Sequence, residues 1–227
     1  MYDDLMREEE LHEKLHHYSE GEELANRFTH GLGVVASIVA VVALIGLASG
    51  QGDSNRLLSA WIYGLAVIIF YSLSTAYHSV KKPHTRYIFR ILDHVGIYIM
   101  IAGSYTPFAL VTLRGVVGKL LFGAVWGLGA LGSIMKIYTV HRMRFMGTFL
   151  YVALGWMALL VLKPLSLALA SWGLAYLFLG GAAYTVGVIF YLWDRLPYNH
   201  AIWHLFVLTG SAFHFWAIFN YVTPIHW

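Results

Sequence analysis

A chain of 227 residues that is 59% hydrophobic, 16% aromatic and only 12% charged, with a mean hydropathy of +0.63, carries more apolar side chain than one water-soluble domain can bury. The absence of cysteine excludes disulfides and thiolate metal ligands. The net charge of +3 does not signal a nucleic-acid partner, because the basic residues are spread over short loops and form no stripe interleaved with aromatics.

In chain order, residues 1–27 read as an acidic cytosolic N-terminal segment holding nine of the twelve acids. Leu5, Leu11 and Leu15 could line one side of a helix there, and the dense Glu usage equally suits a solvated tail. Residues 28–227 read as a seven-helix transmembrane domain. A helix needs about 20 mostly apolar residues to cross a hydrocarbon layer of roughly 30 Å. Seven stretches meet that length: 29–49, 58–80, 88–111, 116–136, 145–163, 166–192 and 199–222. Their apolar runs are continuous and do not alternate, which disfavours a β-barrel. No short basic leader or small-residue cleavage pattern marks the first of them as a removable signal peptide. The expected fold is an all-α seven-transmembrane-helix bundle.

Loop charge sets an expected orientation. Arg7, Lys14, Arg27, Lys81, Lys82, Arg86, Arg90, Lys136, Arg142, Arg144 and Arg195 fall on the N-terminal side, against Arg56, Arg114, Lys119 and Lys163 on the other. Loops rich in Lys and Arg stay inside, so the N-terminus is expected in the cytoplasm and the C-terminus outside. Gly123 and Gly127 form a small-residue pair that marks helix packing more often than dimerisation, and a homo-oligomer stays open.

The chemistry concentrates at one depth. Beyond residue 23 the acids are Asp53, Asp93 and Asp194, and Asp93 alone falls within a span. A carboxylate there costs roughly 2.5–3.5 kcal/mol unless it faces the bundle interior with a partner. It could instead snorkel or pair with Arg90 at the interface. His200 and His204 share one helical face at i, i+4, as do Ser74 and His78 at the end of the second span. Helix direction brings His78, Asp93, His200 and His204 to one level. Three neutral imidazoles plus water suit an open tetrahedral zinc site with Asp93 oriented on the water, and ordinary interfacial histidines are the alternative.

His214 lies roughly 15 Å along the helix from His204, which points to a hydrogen-bonded interior residue or a proton path. His30 could support the site, cap a helix or meet headgroups. His12, His16, His17, His84, His94, His141 and His226 read as solvated.

These motifs carry a resemblance. Ser74-x-x-x-His78, Phe89-x-x-x-Asp93 running on through His94-Val95-Gly96-Ile97, His200-x-x-x-His204 reaching His214-Phe215, and Glu23-x-x-Asn26-x-x-Thr29-His30-Gly31 together resemble the hemolysin III branch of the progestin and adiponectin receptor family. The resemblance covers about residues 18–222. It implies zinc held by His78, His200 and His204, a zinc-bound water held by Asp93, and Ser74 beside the site. It also implies kinship with alkaline ceramidases, a role in membrane lipid or fluidity homeostasis, and a multi-pass place in the plasma (inner) membrane with membrane lipids as partners.

The leading expectation is therefore metal-dependent hydrolysis of a lipid amide, with Asp93 and Ser74 as the catalytic pair. The alternatives are a non-catalytic membrane sensor with structural zinc, and haemolytic activity. A retinal pump is excluded, because the seventh span has no lysine for a Schiff base.

Overall fold

The computed structural model describes Leu15, residues 18–142 and residues 144–224. Leu5, Leu11, His12, His16, His17 and His226 lie outside the described residues. Seven helices are long and apolar enough to cross a membrane. They are α1 (Glu20–Ser49), α2 (Ser54–Tyr77), α3 (Pro83–Leu113), α4 (Gly115–Thr139), α5 (Arg144–Ala168), α6 (Ser171–Leu192) and α7 (Asn199–Val222). No strand occurs among the described residues. The fold is the all-α seven-helix bundle expected from hydropathy.

Packing shows which solvent the bundle expects. Leu32, Val39, Leu120, Leu160 and Leu167 are exposed on its outer wall. The inside holds polar groups such as Asn26, His30, Ser74, Asp93 and Thr106 along with the apolar core. Water would penalise such a surface, whereas lipid does not.

Helix ends depart from the apolar runs for local reasons. α1 begins at Glu20, nine residues before its apolar stretch, because Ser19 and Glu22 form a reciprocal capping box. α2 ends at Tyr77 and His78 closes it, still donating its backbone N–H to the Ser74 carbonyl at 3.1 Å. Pro164 does not divide α5 from α6 as its helix-breaking chemistry suggests. The chain passes through a tighter 3₁₀ stretch, Trp156–Val161, so that Pro164 falls in the first turn of the short segment Leu162–Ala168, where its missing N–H costs no hydrogen bond. Pro107 in α3 is followed by a π-helical stretch, Phe108–Leu113, which absorbs the break in the ladder.

α3 is the most buried span and packs between α2 and α4, while α1 closes against both α2 and α7. α6 and α7 are pressed together through glycines. A Cβ on Gly180 would overlap the His214 ring, and one on Gly210 would meet the Tyr184 ring at 2.6 Å. α5 packs more loosely and is tied by side chains: Tyr105 donates to the Gly155 carbonyl at 2.5 Å and accepts from the Ala158 N–H at 2.9 Å, and Trp156 donates to Thr185 at 2.9 Å.

The end of the bundle remote from residue 20 is clamped by Arg56, whose guanidinium reaches the carbonyls of Val222, Thr223 and Pro224 at the close of α7. Asp53 caps α2 there. Desolvation alone would raise its carboxyl pKa, but the Asn55 N–H and the Arg114 guanidinium hold it below the ordinary value. With α7 anchored at this end and glued to α6, its first turns are carried rigidly to the opposite end. Gly180→Val should force α6 and α7 apart and cost about 1–3 kcal/mol, read as a lower unfolding temperature in detergent.

Candidate metal centre

Three elements meet at the bundle end where α1 starts. The end of α2 delivers His78, the third turn of α3 delivers Asp93, and the first turns of α7 deliver His200 and His204. All four are buried, as is Ser74 one turn before His78. One nitrogen from each of His78, His200 and His204 lies within 4.8 Å of the others. The ring centroids are 5.0 Å apart for His78 and His200, 4.5 Å for His200 and His204, and 5.3 Å for His78 and His204. Asp93 lies close enough to both Ser74 and His78 for their side chains to bear on its carboxyl.

Hydrogen bonds from α1 decide which way two of the imidazoles face. Glu23 Oε2 lies 2.7 Å from His78 Nδ1. A carboxylate only accepts, so Nδ1 carries the proton and Nε2 is a bare lone pair. Thr29 Oγ1 lies 3.0 Å from His204 Nδ1. The hydroxyl hydrogen of Thr29 is taken by the Ala25 and Asn26 carbonyls at 2.9 and 3.0 Å, so the hydroxyl accepts from His204 and leaves that Nε2 bare as well. Both Nε2 atoms are buried without a hydrogen-bond partner. Buried lone pairs turned towards one point are costly unless something with positive charge sits among them. The donor set therefore fits a metal ion that favours imidazole.

Glu23 is itself held by an ion pair with Arg86 at the start of α3. Tyr18 covers the cluster from outside, its ring 5.1 Å from that of His200 and 5.9 Å from that of His78. Desolvation there pushes the Tyr18 phenol well above its ordinary pKa and keeps it protonated. His30 is fully buried and stacks on His204 with centroids 3.4 Å apart, which makes it a packing partner of the centre and removes the headgroup role.

The centre opens inward onto a cavity of about 140 Å³. Asp93 and His200 form one end, and α3, α5, α6 and α7 wall it with mostly apolar side chains such as Ile97, Met100, Trp156 and Val207. His214 lies along the cavity, away from the three ligand candidates, and its Nε2 donates to the Leu177 carbonyl at 3.1 Å, as an interior hydrogen-bonded histidine should. His94, expected in solvent, is half-buried and lines the cavity, with Nδ1 2.8 Å from the Arg90 carbonyl.

The profile of the family described as Haemolysin-III related matches residues 18–215, which takes in Tyr18, Glu23, the three histidines, Asp93 and the cavity. The chain belongs to the haemolysin III family. Hemolysin-3 of Bacillus cereus is 45% identical over 203 residues, covering 89% of this chain and 93% of the relative. The Hemolysin-3 homolog of Bacillus subtilis (strain 168) is 43% identical over 204 residues, covering 90% and 96%. The human monocyte to macrophage differentiation factor is 33% identical over 207 residues, covering 88% and 84%. No solved structure matches significantly.

In this haemolysin III protein the motif Glu23-x-x-Asn26-x-x-Thr29 stood out in the sequence without a role, and the structure sets Glu23 and Thr29 on the imidazoles, while Tyr18 was not singled out at all. A signal was present: Asn26, His30, Gly33 and Ser37 are buried at helical spacing, so the polar stripe of α1 continues back through Glu23. Glu23→Gln should leave the three histidines in place yet lower metal affinity about 10- to 100-fold, as measured by chelator competition.

Proposed function

We propose that this protein is a zinc-dependent hydrolase of lipid amides embedded in the cell membrane, with the metal centre on the cytoplasmic side. The observation that carries this reading is the junction itself: Asp93 and His200 of the imidazole cluster line a largely apolar cavity. A structural ion has no use for a tail-sized cavity at its open side. The lysine and arginine distribution supports the inside position of the N-terminus.

His78, His200 and His204 would hold zinc, which when bound supplies a Lewis acid for the carbonyl and eases deprotonation of water. The apolar walls of the cavity take the acyl chain and keep bulk water from the reacting bond. Asp93 accepts the proton of the attacking water and passes it to the departing amine nitrogen. Ser74 directs its hydroxyl hydrogen at the oxygen on which negative charge develops. Glu23 and Thr29 hold two imidazoles in the correct tautomer throughout.

A second reading has one observation in its favour. The cluster joins α2 to α7 and, through Glu23 and Thr29, both to α1, so an ion there would staple the bundle of a non-catalytic lipid sensor. Structural zinc usually takes four protein ligands, and here the fourth neighbour is a carboxylate at a cavity mouth. The haemolysis in the names of the two Bacillus relatives describes those proteins, and for this chain it follows most simply as a consequence of altered lipid.

Two measurements test these readings, the first the metal that both require and the second the chemistry that divides them. Metal analysis of purified protein should find zinc near one equivalent per chain, lost when His78, His200 and His204 are all replaced by alanine. Asp93→Asn should retain the metal and lower turnover of long-chain N-acyl amines by about 10²- to 10⁴-fold; unchanged turnover would remove Asp93 from the mechanism.

A further inference from the structure

His94 stands next to Asp93 on α3 and has no part in the mechanism above. Its ring lines both the large cavity and a smaller space of about 40 Å³. Asp93, Tyr191 and His200 are also common to both linings, so the two spaces share their walls beside the imidazole cluster. The His94 side chain is 14% exposed, enough to present one edge of the ring to what occupies them.

One nitrogen of that ring is already committed. Nδ1 lies 2.8 Å from the Arg90 carbonyl and 3.7 Å from Asp93 Oδ2. A carbonyl only accepts, so Nδ1 carries the proton and Nε2 is a bare lone pair. Among the described residues no hydrogen bond is made at Nε2. Covalent geometry puts Nε2 at the tip of the ring, the end farthest from the α3 backbone. The bond to the Arg90 carbonyl fixes the ring, so this acceptor is held in place before any ligand arrives.

Given the hydrolase reading on which this rests, the acyl chain fills the large cavity and the carbonyl sits at the imidazole cluster. The atom bonded to the carbonyl carbon on its other side then stands at the shared walls. There His200 would hold the ion, Asp93 takes the proton of the attacking water, and Tyr191 lies under the Arg144 guanidinium. The acceptor left over is His94 Nε2. We propose that His94 Nε2 accepts the N–H of the scissile bond and makes the centre selective for secondary amides over esters. Water adds to the carbonyl carbon, the C–N bond breaks with its electron pair going to nitrogen, and Asp93 returns a proton there. The hydrogen already on nitrogen stays there and points at His94 throughout, so His94 neither gains nor loses a proton. The products are a fatty acid and a primary amine. An ester of the same shape displaces water from Nε2 and puts no donor in its place, which is how a site built around a substrate N–H rejects the analogue that lacks it.

The test separates binding from turnover. N-Butyldodecanamide and butyl dodecanoate, matched in length, are offered to the metal-loaded full-length Asp93→Asn protein in nanodiscs, and bound ligand is counted by native mass spectrometry. The amide should bind about tenfold more tightly than the ester, the scale of one hydrogen bond whose partner would otherwise go unpaired. Adding His94→Phe should abolish that preference with metal content unchanged, whereas adding His94→Gln, which keeps an acceptor oxygen, should retain part of it. A role in packing alone would give the reverse order, since Phe is the closer match in shape. Equal affinity for the two probes with His94 in place would overturn the proposal without recourse to any His94 variant, as would binding of neither. A preference that survives His94→Phe would belong to the carbonyl at the metal and would also overturn it. Wild-type protein given the same pair as substrates keeps the two readings apart: the binding preference without hydrolysis of the amide sinks only the hydrolase reading, and hydrolysis of the amide without the preference sinks only this one.

Discussion

Two hydrogen bonds from α1, Glu23 to His78 and Thr29 to His204, are what the functional end of this bundle depends on. An imidazole in a low-dielectric interior has two nitrogens to account for and can satisfy both only if its tautomer is set. By claiming Nδ1 of each ring, α1 leaves both Nε2 lone pairs facing a common point with His200. It thereby makes three buried histidines, otherwise a liability, into a cluster that could hold a cation. Removing either partner would cost more than a hydrogen bond, because the ring could then turn and the site would lose its convergence.

The bundle is built unevenly around that end. α1 to α4 pack in sequence, and α6 with α7 form a second tight unit through Gly180 and Gly210. α5, interrupted by its 3₁₀ stretch, is held mainly by the hydroxyl of Tyr105 and the indole of Trp156. Loose packing of one helix leaves an internal void, and here the void runs from His214 to Asp93. Close packing elsewhere is what lets the void persist, since a uniformly loose bundle would collapse onto it. The same geometry brings Arg90 and Asp93 on α3 and Arg144 on α5 into the lining of a second, smaller space.

The number of spans, the three histidines and Asp93 were legible because each rests on short-range rules. Span length follows from bilayer thickness, and the convergence of His78, Asp93, His200 and His204 follows from helix direction and an i, i+4 spacing. Where α1 begins was not, because a capping box can extend a helix past the apolar run into residues that hydropathy assigns to a polar head. For that reason Glu23 stood in the sequence as a motif residue without a role at the centre; His94 was placed in solvent although it lines the cavity beside Asp93, because periodicity alone does not say which way a residue next to a buried one turns. The fifth span runs on past its expected end at 163 for the opposite reason: Pro164, a residue that breaks many helices, is harmless in a first turn.

By itself the sequence determined the solvent of this protein, the count and order of its helices, and which side chains could ligate, since these depend on composition and on periodicity along one chain. Only the tertiary structure decided which imidazole nitrogen is left without a partner, that Glu23 before the first apolar run supports the centre, and that a cavity meets it. Those facts depend on how helices far apart in sequence press together, and on the void left where one of them does not.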